Sequence, residues 1–173
     1  MLILIHSGQT GVERGAQRAA VTCGIAVAGF STTDGRDELG RLAPNVARAL
    51  TPCFERGPRP AMEANLAIAT ALVLVVPDAR LLRSYAGMEA VARSARARNV
   101  PHAIVDPTTD RERLLEWIRA LPETSGSVRL FITGPRSTRW LEGERLSWQL
   151  VAALRRDDAL TVPTSTDRTS PTV

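Results

Sequence analysis

The sequence predicts an α/β fold: a three-layer sandwich with a mostly parallel sheet and helices on both faces. Three observations carry this. Five short apolar runs, at residues 2–5, 25–30, 71–76, 102–105 and 128–133, are continuous rather than alternating, as in strands buried on both faces. Segments of helical periodicity separate them, and strand–helix alternation of this kind makes a Rossmann-like sheet. Composition agrees: 44% of the 173 residues are hydrophobic but only 4% aromatic, so small aliphatic side chains must fill a closely packed core.

The elements follow in order. LILI, Leu2–Ile5, is the first strand. Residues 11–23 place Val12, Ala16, Ala19, Ala20 and Cys23 at helical spacing, and Gly24 stops that helix. The strand 25–30 comes next. Residues 31–59 break the pattern, because they are rich in Gly, Pro, Asp and Arg, show no long period and are too long for a simple connector. One short strand near 49–54 and a surface flap are expected there. Pro60 opens a helix over 60–70, ahead of the strand 71–76. A helix over 87–98 leads to the strand 102–105. The helix 110–121 has Asp110 as its N-cap and Leu114, Leu115, Trp117 and Ile118 as its apolar face. The strand 128–133 and a helix over roughly 142–155 close the pattern. The polar, aperiodic segment 156–173 is expected to be a flexible tail, which leaves residues 1–155 as a single domain.

Several function classes fall away. The first residues lack a basic region, and the longest apolar stretch, Ala67–Val76, is too short to span a bilayer. A soluble, cytoplasmic protein without membrane contact is expected. Cys23 and Cys53 form neither a metal motif nor a disulfide framework, and Cys23 reads as a small buried hydrophobe. His6 and His102 belong to no Ser-His-Asp or metal-ligand spacing, so no metal is expected. His6 is placed either to touch a ligand or to be a satisfied strand-end histidine. The formal net charge is +4, and all 22 basic residues are arginines, whose planar forks suit phosphate and carboxylate. Acidic residues lie among them without aromatic interleaving, so nucleic acid is not the expected partner.

The stretch HSGQTGVERG, His6–Gly15, lies between the first strand and the first helix. Free amides and the positive end of a helix favour an anion there, and glycines admit close backbone approach. The loop is neither a Walker loop nor G-x-G-x-x-G, and a plain tight turn is the competing reading. Two further loops follow strands: TGPRSTR, Thr133–Arg139, and PDARLLRSYAGME, Pro77–Glu89. In a parallel sheet all three leave at the carboxyl edge. The loops after the first strand and after 71–76 are expected to flank the switch point, with Arg80, Arg83, Arg136 and Arg139 converging on one crevice.

SGQTGVERGA, Ser7–Ala16, resembles the GGQTGVDRAA signature of the molybdenum carrier family. These are Rossmann-like proteins similar to molybdenum cofactor carriers, in a wider superfamily with the LOG ("lonely guy") phosphoribohydrolases. TGPRS, Thr133–Ser137, resembles that family's late A-G-P-R-x-S loop, and Asn65 matches an asparagine placed before its S-D-A-T-L-I strand. Order and spacing agree over roughly residues 2–150. Glu13 stands where the family has Asp, and Thr70 replaces the Asp before the strand. SYAGM, Ser84–Met88, replaces an S-G-G-T loop; Gly87 survives, but Tyr85 and Met88 are bulkier.

Loop geometry and resemblance together nominate Ser7, Gly8, Gln9, Thr10, Gly11, Arg14, Arg36, Asn65, Arg83, Gly87, Gly134, Arg136 and Ser137 as a phosphate-binding set. The resemblance implies a binding or carrier protein for a phosphorylated ring compound, either a nucleotide or a molybdenum-cofactor-like pterin. Tyr85 is placed to stack on a flat ring. The alternative is a nucleoside 5′-monophosphate phosphoribohydrolase of the LOG type. Cleaving that N-glycosidic bond needs a carboxylate at the ribose. Glu89 is the candidate catalytic residue, though its spacing departs from P-G-G-x-G-T-x-x-E and it is equally placed to complement a helix dipole. The resemblance also implies pairing through helices beside the sheet, hence a homodimer or homotetramer.

Overall fold

The structure, a computed structural model, describes residues 1–158. In chain order its elements are β1 (Leu2–Ile5), α1 (Val12–Thr22), β2 (Ala26–Ala28), β3 (Phe30–Ser31), β4 (Arg36–Asp37), β5 (Gly40–Arg41), α2 (Pro44–Ala47), β6 (Thr51–Pro52), α3 (Pro58–Ile68), β7 (Ala71–Val75), a 3₁₀ stretch (Ala79–Ser84), α4 (Ala86–Ala97), β8 (His102–Val105), α5 (Arg111–Arg119), β9 (Val128–Thr133) and α6 (Glu142–Asp158). Three strands match the sequence reading to the residue, and the helices shift by one to three residues at their ends. Asp110 caps α5 by accepting the Arg113 amide at 3.2 Å.

Five strands form one parallel sheet in the order β2-β1-β9-β7-β8. The last strand among the described residues therefore lies at the centre. If β9 were moved to the front, the order would become 3-2-1-4-5, that of an open doubly wound sheet. The crossovers leave α1, α5 and α6 on one face and α3 and α4 on the other. Alternate residues of each strand feed the two sides. Leu4, Val73, Val75, Leu130 and Ile132 pack with Ala16, Leu115 and Val151. Ile5, Leu72, Leu74 and Phe131 pack with Leu66, Val91 and Ala95. Every residue of β7 is fully buried, which is why its sequence is unbroken apolar.

The structure revises three readings. The strand 25–30 is split, because β2 ends at Ala28 and Phe30–Ser31 pair with β6 instead. Gly29 forces the break: a Cβ there would strike the His6 carbonyl, and its φ of +146° suits only glycine. The flap 31–59 holds the expected strand as β6, but also the β4–β5 hairpin and α2. Cys23 is only half-buried, at the C-cap of α1 where Gly24 turns the chain; Cys53 is the buried one. The expected tail 156–173 lies outside the described residues except for 156–158, which continue α6. Among the described residues no helix is long and apolar enough to cross a membrane.

Helices α1 and α6 touch at Gly15, where a Cβ would collide with the Glu144 carbonyl. Helix propensity alone would make Gly15→Ala stabilising by about 1 kcal/mol. Overpacking costs about 1–3 kcal/mol, so we expect a net loss of up to about 2 kcal/mol in urea unfolding. A more stable variant would contradict the close approach.

Candidate functional site

A cavity of about 760 Å³ opens at the carboxyl edge of β1, β9 and β7. The loop after β1 supplies Ser7 and Gln9 to its lining, and α1 supplies Glu13. The segment after β7 supplies Ser84, Tyr85, Gly87, Met88 and Val91; the end of β9 and its loop supply Thr133 to Arg136 and Arg139. Pro58 and Met62 of α3 close one side. All three loops singled out in the sequence thus meet in one place. The switch point differs in detail: β9 stands between β1 and β7, so the Gly134 loop is its centre rather than a flank.

The floor is built around one buried carboxylate. Glu13 Oε2 accepts the Ser7 amide (2.7 Å), the Ser7 hydroxyl (2.6 Å) and the Gln9 amide (3.4 Å), while Oε1 accepts the Thr133 hydroxyl (2.7 Å). The amide of Gly8 donates to His6 Nδ1 at 3.1 Å. The first three amides of the glycine loop therefore serve internal acceptors rather than an external anion. This corrects the picture of an open nest over residues 7–9. His6 is fully buried, and its pKa is lowered from 6.5 to about 4, first by burial and then by the charge of Arg14. Because Nδ1 accepts, the neutral ring carries its proton on Nε2, a buried atom with no hydrogen-bond partner. His6 does not line the cavity, so it acts as a strand-end support.

A second cluster lies where the loops after β1 and β9 touch. A Cβ on Gly11 would sit 2.6 Å from the Pro135 carbonyl oxygen and 2.7 Å from the Ser137 nitrogen, so only glycine lets the loops meet. The Ser137 amide (3.1 Å) and hydroxyl (3.0 Å) both reach Thr10 Oγ1. The Thr10 hydroxyl donates to Glu38 Oε1, and the hydroxyls of Ser137 and Thr138 stand 3.4 Å from the same oxygen. Arg136 Nε lies 3.4 Å from Glu38 Oε2. Beside them Arg14 bridges the Gly8 carbonyl (2.9 Å) and Asp37 (3.0 Å). A smaller cavity of about 220 Å³ over this cluster is lined by Gln9, Arg36, Glu38, Pro58 and Arg136, among others.

The other nominated residues divide. Gly87 lines the main cavity, and Gly134 lets β9 pass the Val75 carbonyl. Arg36 enters through its carbonyl, which accepts from Gln9 Nε2 at 3.2 Å. Asn65 is fully buried and clamps Phe30, accepting its amide at 2.7 Å and donating to its carbonyl at 2.8 Å; it holds β3 and lies away from the cavity. Arg83 is exposed and does not line the cavity, and Arg80 pairs with Asp78. Glu89 is directed along α4 to Arg93 at 3.2 Å and is also absent from the lining. Asp37 and Glu38 went unnoticed in the sequence, and Thr133 was seen only as the start of its loop. Glu13 was seen only as a substitution, although an acid just inside a helix that follows a glycine loop is a natural internal acceptor.

A model of the circularly permutated YpsA SLOG family matches residues 4–154. Among solved structures, a protein from Syntrophus aciditrophicus described as a molybdenum carrier superposes with a TM-score of 0.75 at 19% identity, covering 88% of this chain and 93% of that one. At that identity the likeness speaks for the fold. No curated protein matches the sequence. The permuted strand order, with the last strand at the sheet centre, agrees with the family description.

Two outcomes follow from the floor. Glu13→Ala strands several buried donors at about 1–3 kcal/mol each, so a stability loss of roughly 3 kcal/mol or more is expected in urea unfolding. A loss below about 1 kcal/mol would mean that water replaces the carboxylate. For His6, the unfolded ring protonates at 6.5 and the folded ring only at about 4. Its contribution is therefore full above pH 6.5 and lost as pH falls toward 4, by about 3 kcal/mol in all. The difference in urea midpoint between about pH 7 and pH 4.5 should be smaller in His6→Gln than in the wild type. Parallel pH profiles would show that the ring charges freely in the fold.

Proposed function

The chain belongs to the circularly permutated YpsA SLOG family, and from that premise we propose that it binds a phosphorylated ring compound. The ligand is a nucleotide or a molybdenum-cofactor-like pterin, held at the carboxyl edge of β1, β9 and β7. One observation carries the reading. The lining of the main cavity joins two chemistries: the arginines Arg136 and Arg139, and the apolar residues Pro58, Met62, Tyr85, Met88 and Val91. An oxyanion suits the first and a flat ring the second. The volume, about 760 Å³, is that of a small-molecule pocket.

Carriage is favoured over turnover by the fate of the carboxylates. Hydrolysis of an N-glycosidic bond needs a carboxylate free to face the ribose. Glu89 does not line the cavity and pairs with Arg93 along α4, while Glu13, which does line it, already accepts from Ser7, Gln9 and Thr133. Phosphate binding tolerates looser geometry than that chemistry. The description of the Syntrophus protein as a molybdenum carrier points the same way. A cytoplasmic homodimer or homotetramer completes the proposal.

The test is isothermal titration with a panel of nucleoside 5′-monophosphates and a pterin phosphate, followed by chromatography for free base. At least one member should bind, without base release. Loss of one charge-assisted contact costs about 1.5–3 kcal/mol, so Arg136→Ala should weaken that binding roughly 10-fold to 150-fold. Unchanged affinity in a folded Arg136→Ala variant would place the anion elsewhere, and multiple turnovers would make the protein a hydrolase. Light scattering should give a mass above the 18.7 kDa of one chain; that mass at all concentrations would refute self-association.

A further inference from the structure

The anion cradle is already filled by the protein itself. We propose that Glu38, at the tip of the β4–β5 hairpin, is a built-in competitor that occupies the phosphoryl position between Thr10, Ser137 and Arg136, and that a ligand's phosphate enters by displacing it. The inference rests on the phosphate-binding reading above and adds to it which side chain must leave.

The contacts around Glu38 are those an oxyanion would make. One of its oxygens faces three hydroxyls, those of Thr10, Ser137 and Thr138, and the other faces Arg136. The fit is incomplete: Oε2 is buried without a hydrogen bond, although Arg136 Nε stands 3.4 Å away as an ion-pair partner. A phosphate monoester brings three terminal oxygens to the same place, enough for the hydroxyls and the guanidinium together. A dianion and a carboxylate cannot share so confined a site, because like charges at hydrogen-bond range repel strongly. The contrast with Glu13 is informative. Glu13 is fixed on α1 with both oxygens satisfied, whereas Glu38 reaches in from a separate hairpin and leaves one oxygen unmatched.

A second observation, independent of Glu38, points to a ligand at the same place. Gln9 is only 8% exposed, lines both cavities, and donates through Nε2 to the Arg36 carbonyl, yet its Oε1 is buried without a partner. That oxygen asks for a donor, such as a hydroxyl or ring N–H of a molecule lying between the cavities.

The hairpin is rooted by Leu42, which is 7% exposed, so what has to move is its tip. Its tip is held by charge rather than packing: Asp37 on Arg14 and Glu38 in the cradle, with Leu39 between Glu38 and Gly40 74% exposed. A Cβ on Gly40 would meet nothing within 4 Å. Contacts of that kind yield to a competing anion, whereas a buried apolar anchor does not.

The experiment titrates inorganic phosphate into the wild type, Glu38→Gln and Glu38→Ala, with Glu116→Gln as a control that removes the same charge from the exposed face of α5. Freeing an occupied site raises apparent affinity by the inverse of its vacant fraction, so both Glu38 variants should bind phosphate about tenfold more tightly or better. Glu116→Gln should match the wild type. Saturating phosphate should also speed tryptic cleavage after Arg36 and Arg41 in the wild type, while Glu38→Gln is cut quickly with or without it. Equal phosphate affinity in the wild type and both Glu38 variants refutes the competition and leaves the phosphate site standing. Weaker binding in the variants refutes it too, by making Glu38 a support. An equal gain in Glu116→Gln assigns the effect to net charge and overturns the proposal. If neither the wild type nor either Glu38 variant binds phosphate, the cradle is not an anion site, and the phosphate-binding reading falls with it.

Discussion

The carboxylate of Glu13 is the contact on which the site's geometry depends. It joins the loop after β1 to the end of β9, through Ser7, Gln9 and Thr133, and it does so from inside α1. A buried carboxylate without donors would be prohibitively costly, so this one fixes every group that serves it. The result is a floor whose shape is set before any ligand arrives. It also takes up the amides of Ser7 and Gln9, which therefore donate inward to the protein.

The same logic explains why glycine recurs where it does. Gly11 lets the loops after β1 and β9 touch, Gly134 passes under the Val75 carbonyl, and Gly15 brings α6 against α1. These contacts exist because β9, the last strand, lies beside β1, the first. The permuted order brings the first and last strands of the described residues side by side in the middle of the sheet. A site assembled from residues 7–14 and 133–139 is the consequence.

Much of this was legible in the sequence. The unbroken apolar runs marked the strands, because strands buried on both faces have no polar positions to alternate with. The glycine loops marked the carboxyl edge, and Ser7, Gln9, Gly87, Gly134 and Arg136 do line one cavity. What escaped was non-local. The placement of β9 between β1 and β7 leaves no trace in any window of residues. Glu38 reaches Thr10 from 28 positions away on a two-residue-per-strand hairpin, too short to show a period. Asn65 is nominated through its match to the family's asparagine, and the structure uses it to clamp Phe30. Gly29 looked like strand interior, although its φ of +146° makes it the break between β2 and β3.

The arrangement asks a specific thing of its ligand: an oxyanion at Arg136 and Ser137, a flat apolar body against Tyr85 and Met88, and a donor for Gln9. The most direct measurement is a crystal structure with the tightest-binding phosphorylated ring compound. The account predicts its phosphate within hydrogen-bond distance of Thr10, Ser137 and Arg136, its ring against Tyr85 and Met88, and the Glu38 carboxylate withdrawn. A ligand bound away from this cavity, or one seated with its phosphate outside an undisturbed Glu38 contact, would contradict it.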